Sequence, residues 1–466
     1  MGDRFCGFDL DRVAALQQAV AATAEPARTL SRHIGATSDT AMEVIARGSG
    51  ISLHNLGVEP SMDTDPDRAG LRPVTLHAPE VAAEIGRRLA HLKACEKLAH
   101  DGFRIDPAAV FDDEPPPDET KIRAAVKQLR SALGQGDLDT AFDALAEADG
   151  AIVGLNRAET EAFVGELGAA DLQKWNLLLS LHVFGMGLSN DSRMALANSL
   201  LSKLSETSVR SLVESLPALE PSFADTEGAG NDDQKDLHWK WADGGLGDPT
   251  LDDINQGDLG DCWFLASLGS ELTADPRFLQ KHVHDNGNGT YTVTFYDDGK
   301  PVPVTVDGRL PYNSWDQTAF EHPGNNENWV AIYEKAFAQY KGGYKNIEGG
   351  WGSEGMQDLT GRKSAKVLPA FLSPELLQKQ LADGKPLTAG TGSHHSGFLW
   401  LHSDEYFDDH KLVTKHEYTV TSVNADADPP TVTVRNPWGD TGAVPETVTM
   451  SWDEFRDHFE EVSLGG

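Results

Sequence analysis

An α+β domain behind a series of helical modules is the fold class this sequence predicts, and two observations predict it. Through residue 218 apolar positions recur at three- and four-residue spacing, the mark of amphipathic helices. From about Thr250 the period drops to two in several short segments, which are interspersed with single helices and lack a regular βαβ repeat.

Taken in order, residues 1–105 are expected to form an N-terminal helical domain, with helical spacing through Val13 to Ala22 and again through Val81 to Leu98. Residues 106–120, DPAAVFDDEPPPDET, are acidic and carry three consecutive prolines, which resist helix and strand alike and predict a linker. A second helical module is expected over 121–218, in phrases such as KIRAAVKQLRSAL, AETEAFVGEL, ADLQKWNLLLSLHVF and NSLLSKLSETSVRSLVESL. Several of these follow Asp, Asn or Ser in N-cap positions. Glycine and aspartate dominate 219–248, which predicts another linker. The α+β domain then fills 249–466: a helix WFLASLGSEL, strands TYTVTFY and PVPVTVDG, a helix NWVAIYEKAFAQYKG, and late strands HEYTVTSV and TVTVRN. DNGNGTY, Asp285 to Tyr291, reads as a hairpin turn.

Composition narrows the function. The chain has 73 acidic against 39 basic residues and a net charge of −34, so a phosphate backbone would be repelled and no nucleic-acid partner is expected. No apolar run reaches about 18 residues, and the first residues lack a basic stretch followed by an apolar block. No membrane partner is expected, and the location is cytoplasmic or reached by a route that needs no signal peptide. Cys6, Cys95 and Cys262 show neither zinc spacing nor a disulfide framework.

One string carries chemistry. In QGDLGDCWFL, Gln256 to Leu265, a glycine-punctuated turn delivers Cys262 to the start of an apolar helix, whose free N–H groups and dipole favour a thiolate. Gln256, six residues earlier, can fold back and donate to an oxyanion. A buried structural cysteine is the alternative. A nucleophilic thiol needs an imidazole and a group to orient it. His416 opens HEYTVTSV, and Asn436 closes TVTVRN twenty residues later, so two adjacent strands would set ring and amide side by side. The histidine-rich stretch His394 to His410 fits no zinc spacing and reads as a solvated loop.

At this point the domain resembles the calpain-like cysteine peptidase core, of bacterial type, over residues of about 246–466. The resemblance rests on DINQGDLGDCWFLAS, VDGRLP, NWVAIYEKAFAQYKGGY, GGWGSEGMQDLTG, HEYTV, RNPWGD and MSWDEFRDHF, in that order. It implies a papain-like core of two subdomains, a helical half carrying Cys262 and a β-rich half carrying His416 and Asn436, brought together when a cleft closes. It implies an endopeptidase working through a Cys-His-Asn triad and a thioester acyl-enzyme on protein or peptide substrates. Gln256 would be the oxyanion donor, Trp438 would cover the His416–Asn436 bond, and Trp438, Glu354, Gly355 and Lys415 would face the substrate. No cofactor is needed for the chemistry; calcium promotion is implied through Asp253 and Glu334, unless those carboxylates only cap a turn and pair with Lys335 or Lys341. Lys415 stands where the family usually has glycine, and Glu417 where it has a small residue. The helical modules are expected to regulate the peptidase or bind a protein partner. An exported peptidase effector and a catalytically silent binding protein are the competing readings.

Overall fold

The structure, a computed structural model, describes residues 4–5, 8–23, 25–27, 29–30, 72–109, 113–181, 188–223, 226, 237–323, 327–392, 394–396, 402–404, 406–407, 412–439 and 444–466. It divides into two compact units, Met1–Lys127 with Gly154–Leu167, and Gln128–Val153 with Gly168–Gly466. Its first half carries the short strands β1 (Arg4–Phe5) and β2 (Phe8–Asp9), then helices α1 over 10–23, α2 (Arg72–His100), α3 (Glu119–Leu133), α4 (Leu138–Val153), α5 (Arg157–Gly165), α6 (Ala169–Ser180), α7 (Asn190–Lys203) and α8 (Glu206–Ser215). Among the described residues no helix is long and apolar enough to cross a membrane.

In the first unit, Leu89, Leu92 and Cys95 of α2 share a small core with Leu10, Ala109 and Ala158. Helix α5 opens on a reciprocal cap: Asn156 accepts from the Glu159 N–H, and Glu159 accepts from the Asn156 N–H. The same turn holds the proline-rich stretch. Asn156 donates to the Pro115 carbonyl at 2.9 Å, Glu114 accepts from the Arg157 N–H at 2.7 Å, and Glu159 accepts from the Asp118 N–H at 2.8 Å. The described part of 106–120 is therefore fastened within its own unit.

In the second unit the helix read through NSLLSKLSETSVRSLVESL is two helices. Ser205 caps α8 by accepting from the Ser208 N–H, and that new start ends α7. Helix α7 docks on the C-terminal domain through side-chain amides. Asn198 donates to Pro303 O at 2.7 Å and accepts from the Thr305 N–H at 2.6 Å, while Asn288 donates to Leu201 O and Leu204 O at 2.8 and 2.7 Å. Helices expected as a separate 121–218 module are thus shared between the units, with α6 to α8 grouped with the C-terminal domain.

That domain has two halves. The first holds β3 (His238–Trp241), α9 (Cys262–Ala274), α10 (Phe278–His282), β4 (Val283–Asp285), β5 (Thr290–Asp297), β6 (Lys300–Asp307), β7 (Arg309–Tyr312), α11 (Trp329–Lys341) and α12 (Gly352–Thr360). Strands β4-β5-β6 form a meander and β3 pairs with β7. The 219–248 stretch thus supplies a strand to this half. It also supplies Glu220, which with Asp307 and Arg309 surrounds the fully buried Lys335 ammonium; Glu220 and Asp307 lie 2.6 and 2.7 Å from that ammonium. Helices α9 and α11 are apolar on most faces because both are enclosed, and Phe264 stacks on Phe337 with centroids 3.9 Å apart. Each such ring contributes roughly 1.5–3 kcal/mol by burial. The turn within DNGNGTY joins β4 to β5 as expected, with Gly287 and Gly289 at φ of 72° and 79°.

The second half runs β8 (Ser364–Val367), α13 (Pro374–Ala382), β9 (Leu387–Thr391), the short strands β10 (His394–Ser396), β11 (His402–Asp404), β12 (Tyr406–Phe407) and β13 (Leu412–Val413), then β14 (Glu417–Asn424), β15 (Thr431–Arg435), β16 (Thr447–Ser451), α14 (Trp452–His458) and β17 (Phe459–Gly465). Six strands form one antiparallel sheet in the order β16-β15-β14-β9-β17-β8. The α+β class expected for this domain is what the structure has. Side chains of the histidine-rich stretch at 394–410 lie outside the described residues.

Candidate active site

Cys262 occupies the first position of α9. The turn before it depends on Gly257, where a Cβ would run into the Phe320 carbonyl. Asp261 starts the helix through its own carbonyl, which accepts from the Phe264 and Leu265 N–H groups at 2.8 and 3.1 Å. Helix α9 lies directly on β14, where the Thr419 hydroxyl donates to Ala266 O at 2.9 Å. The two halves are therefore packed closed, with the Glu417 and Trp263 N–H groups facing the sulfur.

The imidazole and amide meet as the strands require. His416 immediately precedes β14 rather than lying within it, and Asn436 immediately follows β15; these strands are paired, with Thr419 opposite Arg435. His416 Nε2 donates to Asn436 Oδ1 at 2.8 Å, which leaves Nδ1 as the acceptor for a thiol proton. Asn436 Oδ1 also accepts from the Trp438 N–H at 3.0 Å, and the Trp438 ring lies 4.9 Å from the imidazole. His416 and Asn436 are buried, Trp438 is half-buried, and the shield expected of Trp438 is in place.

Protonation departs from expectation. Burial pushes the Cys262 thiol up to about 12, aided by the Glu417 and Asp261 carboxyls and opposed by the two N–H groups. Burial likewise pushes His416 down to about 4, opposed by its bond to Asn436. Desolvation thus outweighs the helix dipole at Cys262 and the Asn436 bond at His416, which favours the neutral form of each.

Gln256 is close, but its donors are engaged. Its backbone N–H donates to Pro437 O at 2.9 Å, and its side-chain amide donates to Leu259 O at 2.6 Å and to Asp261 Oδ1 at 3.3 Å. Beneath it sit three buried carboxyls that sequence reading did not single out as a group, Asp261, Glu321 and Glu334. Each keeps one oxygen without a hydrogen-bond partner among the described residues. Burial raises Asp261 to about 7 and the other two well above the usual carboxylate range. Asp261 lies inside the motif string, whereas no local pattern marks Glu321.

Asp253 and Glu334, the expected calcium pair, are both buried. Asp253 accepts from the Thr250 N–H at 2.7 Å and from the Trp329 indole at 2.9 Å, while Glu334 shares a hydrogen bond with Asp261. Among the described residues no group of three His, Cys, Asp or Glu side chains is arranged to hold a metal. Glu334 does not pair with lysine either, since Lys335 holds Asp307 and Glu220, and Lys341 holds Asp358 at 2.7 Å.

Cys262, His416, Gln256, Trp438 and Lys415 all line one cleft of about 710 Å³. Lys415 adopts φ of 52°, the left-handed conformation that glycine takes freely. Glu354 and Gly355, expected on the cleft wall, are elsewhere: Glu354 is exposed and off the lining, and Gly355 seats α12 against Ser267 and Trp263 of α9. Glu417 and Glu461 line the cleft instead.

A helical half presenting a thiol and a sheet half presenting an imidazole–amide pair define the papain-like class of cysteine peptidases. Residues 230–462, half of the sequence, match the family described as calpain family cysteine protease, and the chain belongs to that family. Among relatives, it is similar to human calpain-8, at 34% identity over 209 residues covering 42% of this chain and 29% of the relative. It is 29% identical over 256 residues to the Arabidopsis thaliana calpain-type cysteine protease DEK1, covering 46% of this chain and 11% of that one. The Macaca fascicularis calpain-2 catalytic subunit is 31% identical over 208 residues, 42% of this chain and 29% of the relative. The chain thus spans 11% to 29% of the length of these relatives.

Proposed function

We propose that this chain is an endopeptidase that cuts peptide bonds through Cys262, His416 and Asn436. The observation that carries the reading is the 2.8 Å bond from His416 Nε2 to Asn436, which fixes the ring with Nδ1 free, in the cleft that the Cys262 thiol lines. His416 takes the thiol proton as Cys262 attacks a substrate carbonyl. The oxyanion is held by the Cys262 N–H and by Gln256 once its amide leaves Leu259 O and Asp261. The imidazolium protonates the departing amine, leaving a thioester. Water, activated by the same ring, then releases the acid product. Asn436 keeps the ring in one tautomer throughout.

Purified protein is expected to degrade an unstructured polypeptide such as casein, and Cys262→Ala to stop it. Cleavage that survives this substitution would remove Cys262 from the mechanism. Calcium belongs to the same test. Glu334 keeps one buried oxygen without a hydrogen-bond partner among the described residues, so a cation held with Asp253 is expected to show as a rate that falls in chelator. Equal rates in calcium and in chelator would make these two residues structural. The first compact unit is free of assigned chemistry, and we infer a regulatory or partner-binding role for it.

A further inference from the structure

The cleft beside Cys262 contains a pair of carboxyls that the triad chemistry does not use. In the sheet, Gly390 at the heart of β9 lies opposite Glu417 of β14 on one side and opposite Glu461 of β17 on the other. Strand neighbours in register share a face, so both side chains rise over the glycine. Any Cβ there would meet Glu417 Oε2 at 2.8 Å and Glu461 Oε1 at 3.0 Å, so Gly390 keeps open the space that the two carboxyls fill. Gly352 does the same from α12, since its missing Cβ would clash with Glu417 and with Thr388.

Two adjacent glutamates inside a protein normally come with a cation. None pairs with these. Glu417 accepts one hydrogen bond, from the Thr388 hydroxyl at 2.5 Å, and Glu461, only 4% exposed, has both oxygens without a hydrogen-bond partner among the described residues. Burial and then the neighbouring Glu461 carboxyl hold Glu417 well above the usual carboxylate range, and burial raises Glu461, opposed by Glu417 and by Lys366. The charged groups around them are Glu354 and Glu460, the His416 ring, Lys415 at the lip and Lys366 on β8. Lys366 is the cation whose field reaches both carboxyls, yet its ammonium sits over the Trp351 ring, 3.1 Å from the centroid, and forms no ion pair with either. The pair is desolvated and faces the cleft, and among the described residues no donor reaches Glu461.

We propose that Glu417 and Glu461 form a specificity pocket for a basic side chain of the substrate, arginine or lysine, next to the bond that is cut. A guanidinium supplies five N–H donors in a plane and can satisfy both bare oxygens of Glu461 while facing Glu417 beside it. As the cation enters, a proton held by the raised carboxyls leaves to solvent, and a charge-assisted pair replaces a carboxyl dyad. A leucine in the same place would leave the oxygens bare, and sites built to bond a polar group discriminate strongly against substrates that lack it.

This inference rests on the peptidase reading, and its test separates the two. Binding is measured first, by calorimetry with the full-length Cys262→Ala protein and two peptides differing only by arginine or citrulline at one position, scanned along the sequence. At one position arginine is expected to bind about 10-fold or more tightly than citrulline, and Glu461→Gln to bring the ratio near one. Glu461→Asp, which keeps the charge, should retain part of the preference, which a purely structural role for Glu461 would not require. Matching kcat/KM ratios are expected from the active protein on fluorogenic versions. Equal binding of both peptides at every position, or a preference unmoved by Glu461→Gln, overturns the pocket. Loss of casein cleavage with the binding preference intact would instead overturn the peptidase reading and leave the pocket standing.

Discussion

At the residue scale, the decisive feature of the site is the protonation of two side chains rather than their identity. The string around Cys262 pointed to a thiol at a helix start, and HEYTV with RNPW to an imidazole and an amide at the ends of neighbouring strands, because each is a short local pattern. The electrostatics had no such local signature. Cys262 is held near 12 and His416 near 4 by how much water the packed halves exclude, and that packing joins residues as far apart in the chain as Ala266 and Thr419. Ring-nitrogen chemical shifts of His416 are therefore expected to report a neutral Nε2–H tautomer at pH 7 and down to about pH 5. An imidazolium signal at neutral pH, with thiolate absorbance that vanishes in Cys262→Ser, would mean that the ion pair is preformed.

At the element scale, strands β14 and β15 and helix α9 were legible as elements because alternation and apolar runs mark them. Their ends carry the chemistry, and the ends are where local strain appears. Lys415, one residue before the catalytic ring, sits at φ of 52°, a conformation that disfavours any residue with a Cβ by about 1 kcal/mol. Lys415→Gly is expected to leave the fold intact and raise stability by about 0.5–1 kcal/mol in urea unfolding, against the usual direction for a glycine substitution. A loss of similar size would show that the turn is unstrained and that the lysine stem packs usefully. The boundary between modules was harder to read. Asn190, Asn198 and Asn288 tie helix and peptidase together through side chain to backbone bonds across roughly a hundred residues, a signal with no periodicity at all.

At the scale of the whole molecule, the interior is as acidic as the surface. Asp149, Glu220, Asp261 and Glu271 are each raised to about 7, chiefly by burial, and burial also holds Glu321, Glu334 and Glu417 well above the usual carboxylate range. Between the unfolded carboxylate range and these folded values the native chain binds more protons than the unfolded one, so stability falls as pH rises through about 7. His416 works in the opposite sense: its depressed folded value takes stability away as pH drops below about 6.5. Seven raised carboxyls outweigh one histidine, so stability is expected to rise as pH falls from 8.5 toward about 5, with Tm higher by about 5 °C or more at pH 6 than at pH 8.5 in scanning calorimetry. A Tm that is flat or rises with pH over that range would mean that the buried carboxyls are ionised. Added salt should raise Tm as well, because it screens a net charge of −34.

The asparagine contacts of α7 set where this chain can be trimmed. A protein trimmed to the family-matched stretch would begin at residue 230 and strip Asn288 of both of its carbonyl acceptors, leave Thr305 N–H without its partner, and bare the outer face of β6. Buried polar groups abandoned in this way destabilise by about 1–3 kcal/mol each. Helix α7 is in that sense an outer wall of the calpain-family domain, and trimming that removed it would unseat β6 and the turn before β5.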